Sequence, residues 1–202
     1  LMDRVEGDYH ATLVTAGAPE AVGQASQAHI TAQQLVEVTG AADVGVLGVG
    51  AQTPYSVESI ANPILAAWSG LAHTFGSHTG TPFVRPGGAL IIYHPLDVQF
   101  SPLHHPSYVD FFADVLSVTT DPKRISVDNE EQFVNDSWYV HLYRTSQAFH
   151  GVHPLYLWYQ IAAAQEHCSD IVWVGGNRAS AARMGFRAAS TLADALEIVA
   201  SS

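Results

Sequence analysis

The chain has 202 residues, 48% of them apolar, with 19 acidic and eight basic side chains and a net charge of −11. That balance disfavours a phosphate backbone and excludes nucleic acid as a natural partner. A single cysteine, Cys168, excludes an internal disulfide and suits a reducing, cytoplasmic setting. No apolar run reaches the length of a membrane span, and no basic segment followed by an apolar one marks the start as a secretory signal. Charged residues make up only 13% of the chain, low for a free-standing domain, so part of the surface is expected to be covered by another domain or a second copy. The opening Leu1-Met2 fits a protein that begins further upstream.

Short apolar runs alternate with helical patterns. Residues 11–16 (ATLVTA) read as a strand and 19–35 as a helix, with Pro19 in the first turn and Glu20 near its positive end. Residues 43–49 (DVGVLGV) form a second strand. Residues 56–75 are helical in period, with Pro63 marking a kink or the true start. A turn at Pro86-Gly87-Gly88 leads into a third strand, 89–93 (ALIIY). Helices are expected over 108–116, 129–140 and 153–167, and a fourth strand over 171–174. A helix over 179–184 stops at Gly185, and a last one, 192–200, opens with a capping box from Thr191 and Asp194. Residues 74–85, 97–107 and 119–128 read as loops.

Each strand is continuously apolar, as in a sheet buried on both faces. The expected fold is therefore a three-layer α/β/α domain spanning residues 1–202, with a mainly parallel, Rossmann-like sheet of about four or five strands. In such sheets ligands gather beyond the carboxyl ends of the strands. Here those ends are Gly17-Ala18 and residues 48–52, 93–97 and 175–178. The glycines at 45, 48 and 50 do not have dinucleotide-binding GxGxxG spacing.

Eleven histidines are the other unusual feature. They concentrate in His94-Pro95, His104-His105-Pro106 and the run His150 to His153-Pro154. With Asp97 there is enough imidazole and carboxylate for a metal site at His94, Asp97, His104 and His105. Helix caps and loop contacts are the plainer reading, since no HExxH occurs. His94-Pro95-Leu96-Asp97 follows a buried strand and is the best single candidate for a working site. Cys168 reads as a buried small hydrophobe, and Asp128, Glu130 and Glu131 as a solvated helix start.

The succession TLVTAGAPEAVGQASQAHI, ADVGVLGVG, VRPGGALIIYHP, HPLYLWYQ and DIVWVGGNRASAARMGFRAASTLADALEIVA resembles the C-terminal domain of lactate racemase-like proteins, the nickel-pincer nucleotide family. The resemblance runs from about Thr12 to Ala200 and rests on structural segments, not on a catalytic signature. It implies a two-domain parent whose N-terminal domain, absent here, holds the catalytic histidines and the lysine that carries the cofactor. The C-terminal domain would close over the cleft. The family's Gln and Lys, three residues apart on the helix after the second strand, fall at Ser59 and Asn62 here. Neither replacement keeps the chemistry: Asn62 has no charge and Ser59 is shorter.

On this resemblance the residues that would position a 2-hydroxy acid or the cofactor are Gln52, Ser59, Asn62, His94, Asp97, Asn177 and Arg178. Racemisation through hydride abstraction needs an electron sink and bases on both faces of the substrate, and one lysine, Lys123, in an expected loop cannot supply these. Two other readings stay open: a free-standing metal-dependent enzyme using His94, Asp97, His104 and His105, and a non-catalytic α/β binding module.

Overall fold

The structure, a computed structural model, describes residues 11–50, 61–76 and 80–201. It divides into two compact units, Leu1–Gly40 and Ala41–Ser202. In the first, α1 (Pro19–Gln34) begins with Pro19 at its first position and has no buried residue. Residues 11–16, expected to be a strand, are not one, and every one of them is exposed. β-branched residues favour a strand only when a neighbouring strand and a packed face receive them, and among the described residues this segment has neither.

The second unit carries the sheet. Its strands are β1 (Ala42–Gly48), β2 (Val84–Tyr93), β3 (Asp170–Val174) and β4 (Arg187–Ala189). All pair in parallel, in the order β1-β2-β3-β4. Between β1 and β2 come α2 (Pro63–Trp68) and a π turn, Ser69–His73. Between β2 and β3 come α3 (Pro106–Asp110) with its π turn Phe111–Val115, α4 (Pro122–Asn135), α5 (Ser137–Thr145) and α6 (His153–His167). Helix α7 (Arg178–Arg183) links β3 to β4, and α8 (Leu192–Ala200) closes the chain.

Because the strand order is sequential, right-handed crossovers place all the connecting helices on one face. The larger core lies there: Leu90, Ile92, Ile171 and Trp173 point into the helical layer and meet Leu65, Phe111, Trp158 and Ile161. Trp158, fully buried, packs against Phe111 and Phe186 and donates its indole N–H to the Thr120 carbonyl at 3.0 Å. The alternate residues, Ile91, Val172, Val174 and Ala189, pack under α8 through Ala195, Leu192, Ile198 and Val199. The three layers are present but unequal, and Val46 on β1 is 50% exposed.

Several boundaries differ from expectation for local reasons. The segment 119–128, expected to be a loop, enters α4 at Pro122. Asp121 caps that helix by accepting the Lys123 amide, so Lys123 is helical. The helix expected over 129–140 breaks at Asp136, whose carboxylate accepts the amides of Trp138 and Tyr139 and starts α5. Pro63 is the true start of α2, and the part of that expected helix at 56–60 lies outside the described residues. Strand β4 is three residues long and carries no apolar pattern; only its pairing to β3 makes it a strand.

The capping box at the start of α8 is complete: Thr191 accepts the Asp194 amide at 3.1 Å, and Asp194 accepts the Thr191 amide at 3.0 Å. Replacing Thr191 with alanine removes one of these bonds. It is expected to lower stability by about 1 kcal/mol, read as a shifted urea midpoint with an unchanged slope.

Candidate functional site

A parallel strand delivers the chain to one edge of the sheet, and here the edge after β1, β2 and β3 collects most of the residues singled out in the sequence. Asn62 caps α2, Asn177 caps α7, and His105 stands at the cap position of α3. The Asn62 side-chain oxygen accepts the amides of Ile64 and Leu65, both at 3.0 Å. Its NH2 therefore faces His105, whose Nδ1 accepts at 3.3 Å. Both residues are fully buried. Asn177 likewise spends its oxygen on the amides of Ala179 and Ser180. These two asparagines build the edge, with their amide oxygens committed to helix starts. Arg178 and Asp97 are exposed, while Gln52 and Ser59 lie outside the described residues.

His94 differs from these. It directly follows β2, is 5% exposed, and accepts the Leu96 amide on Nδ1 at 3.0 Å. Leu96 is held at φ 52°, the one non-glycine with positive φ among the described residues. That left-handed conformation costs about 1 kcal/mol, and it belongs to the turn in which the Leu96 amide meets the imidazole. Burial lowers the His94 pKa from its ordinary value, partly opposed by the Asp97 charge. A neutral imidazole whose Nδ1 accepts a hydrogen bond must carry its proton on Nε2. The Nε2–H of His94 is buried and has no partner among the described residues.

This protonation bears on the metal reading. A ligating histidine binds through one nitrogen and donates from the other. In His94 and His105 the Nδ1 atom accepts instead, so Nε2 is not the free lone pair that a metal needs. Among the described residues no group of three His, Cys, Asp or Glu side chains is placed to hold a metal ion.

The remaining histidine runs form an aromatic stack. Phe149 lies between the rings of His105 and His153, 5.6 and 4.6 Å between centroids and nearly parallel to both. Its amide donates to the His104 carbonyl. The Tyr108 hydroxyl meets His153 Nδ1, and burial lowers the His153 pKa. This stack ties the start of α3 to the start of α6. Elsewhere, Glu130 accepts from Ser126 and Tyr159, and Asp128 pairs with Arg124, so these two α4 carboxylates have local partners. Cys168 is half-buried, with its thiol pushed up to about 11 by burial. A cleft of about 280 Å³ lined by Asp110, Asp114, Asp128 and Asp136 sits among α3, α4 and α5 and contains none of the sequence-predicted site residues.

Sequence reasoning missed three buried groups that share the edge with His94. The indole Nε1–H of Trp173, next to last in β3, has no partner among the described residues, and its ring meets His94 edge-on at 6.4 Å. The hydroxyls of Ser107, in the first turn of α3, and Ser180, in that of α7, are buried without partners too. For Trp173 a signal existed: a tryptophan inside a short, wholly apolar strand needs an acceptor for its N–H.

No protein-family model matches the chain, and no curated protein matches it. Among solved structures, the chain is similar to the lactate racemase apoprotein from Thermoanaerobacterium thermosaccharolyticum, at 14% identity and a TM-score of 0.45. The match covers 80% of this chain and 31% of that one, so the chain spans less than a third of that protein's length.

Two outcomes are expected from this geometry. Asn62→Ala removes the α2 cap and the Asn62–His105 hydrogen bond, and should cost about 2 kcal/mol by chemical denaturation. His94 and His153 both have folded-state pKa values below the unfolded one. Below about pH 6.5 the unfolded chain takes up protons that the folded one refuses, so stability is full above that pH and falls as the pH drops through it. Melting temperatures measured from pH 8 to pH 5 should show this decline, and the double variant His94→Gln, His153→Gln should flatten it.

Proposed function

We propose that this chain is a substrate-positioning α/β domain of a longer, lactate racemase-like protein, and that the carboxyl edge of its sheet takes a small 2-hydroxy acid. One observation carries the reading. Among the described residues, buried polar atoms without partners stand near the end of β3 or in the segments that follow β2 and β3: His94 Nε2, His104 Nε2, Trp173 Nε1, Ser107 Oγ and Ser180 Oγ; one more, Asp170 Oδ2, is at the start of β3. Buried polar groups in folded proteins nearly always find a partner, and such a concentration is what a site awaiting an oxygen-rich ligand leaves behind. The resemblance of the strand and tail segments to the C-terminal domain of nickel-pincer nucleotide enzymes supports the ligand class.

The chemistry of this chain's residues suits holding, not reacting. His94 is neutral, buried and protonated on Nε2 through its bond to the Leu96 amide, so it orients an acceptor and takes no proton. The side chains described here do not fit a nickel-pincer group: Lys123 is exposed on α4, and His94 and His105 present the wrong nitrogen. In this reading such a cofactor is held by the domain upstream, and this chain covers the substrate side of the cleft. At the position of the family's Lys, Asn62 carries no charge and caps α2 with its side-chain oxygen.

The test is ligand-dependent stability. A 2-hydroxy acid at about a hundred times its dissociation constant should add about 2.7 kcal/mol, a rise of roughly 5–10 °C in melting temperature for a protein of this size. A panel of 2-hydroxy acids, each compared with its deoxy analogue at matched ionic strength, reads this directly. No rise with any of them ends the proposal.

A further inference from the structure

His94 and Trp173 lie on neighbouring strands. Ile92 is level with Trp173 in the β2–β3 register, and His94 follows two residues later, so the pleat turns both rings toward the helix-covered face. The rings meet at 6.4 Å and 82°. Trp173 is fully buried and His94 is 5% exposed, and each ends in an N–H with no acceptor among the described residues.

The surrounding backbone is pinned. The Asn177 amide donates to the Pro95 carbonyl at 2.7 Å. A Cβ on Gly176 would stand 2.9 Å from Trp173 Cβ and 3.3 Å from Leu96 Cδ1, so only glycine lets the β3 turn close over the β2 turn. The strained Leu96 fixes the imidazole by its amide. Backbone strain of this kind persists where the surrounding structure over-determines it, and it clusters at ligand clamps. The Leu96 amide holds the His94 ring, and the Trp173 ring packs against Phe186 at 6.2 Å.

We propose that His94 Nε2–H and Trp173 Nε1–H form a two-donor seat for an acceptor oxygen of a small carboxylate. The proposal rests on the positioning reading above for the place of the ligand and adds the atoms that grip it. Both groups are neutral N–H donors, so the seat takes oxygen acceptors and rejects cations. A carboxylate accepts through two oxygens, and charge-assisted bonds of this kind are about twice as strong as neutral ones. His94 is then a binding residue whose tautomer is set before the ligand arrives.

The experiment is an NMR titration of the full ¹⁵N-labelled chain with L-lactate and with propionate, which lacks the hydroxyl, using sodium chloride to match ionic strength. The free protein should show His94 protonated on Nε2. Both acids should then move the His94 ring and Trp173 indole signals along one saturation curve. Trp173→Phe, which keeps a ring but loses the donor, should weaken binding about five- to tenfold. A proton on Nδ1, or ring signals that neither acid moves, overturns the seat and assigns these donors to solvent. Lactate shifts confined to the amides of residues 95–97 and 175–178 would sink the seat while leaving the positioning reading intact. Ring shifts equal for propionate and lactate would uphold the seat and remove the preference for hydroxy acids. The wild-type titration decides the matter even where Trp173→Phe fails to fold.

Discussion

A parallel strand is left at its carboxyl end and the next is entered at its amino end, and this constraint organises the second unit. Every crossover must start on the same edge of the sheet, so the chain turns there after β1, β2 and β3. Each turn must satisfy the free amides of the helix that follows. Asn62 and Asn177 do so with their own oxygens, and the Asn62–His105 bond joins the starts of two helices. What is left over there, among the described residues, is two buried N–H groups without an acceptor, His94 Nε2 and Trp173 Nε1.

The sequential strand order has a further effect. In sheets whose order reverses, a crevice opens at the switch point and serves as a ready ligand site. The four described strands have no reversal. The candidate site therefore stands on specific side chains and on a strained turn at Leu96, not on a crevice supplied by topology. It also explains the lopsided layers: among the described residues the six helices α2 to α7 fall on one face, and α8 covers the other.

Much of the second unit was legible in the sequence because its signals are local. The continuous apolar runs in β2 and β3, the 3.6-residue period of α6 and the Thr191–Asp194 box each act within a few residues. The failures are equally physical. Residues 11–16 have strand-like composition but no partner, and β4 has a partner but no composition. Asp121-Pro122 and Asp136 are cap signals that were readable and outweighed by the polar content around them. At the candidate site, His94 stood out through its place after a buried strand. Its proton, however, depends on the Leu96 amide, and its neighbour Trp173 comes from a strand nearly eighty residues away. No reading of adjacent residues could pair them.

The two π turns sit alike in the fold, each directly behind one of the helices joined by Asn62 and His105. A π turn accommodates one residue more than an α turn, and one residue is about 100° of helical rotation. Losing a single residue from Ser69–His73 would restore a regular helix and swing Asn62 off the imidazole that it faces. The reading frame of the helix surface is thus set by these wide turns, and an indel there, in an element with no chemistry of its own, would dismantle the edge from a distance.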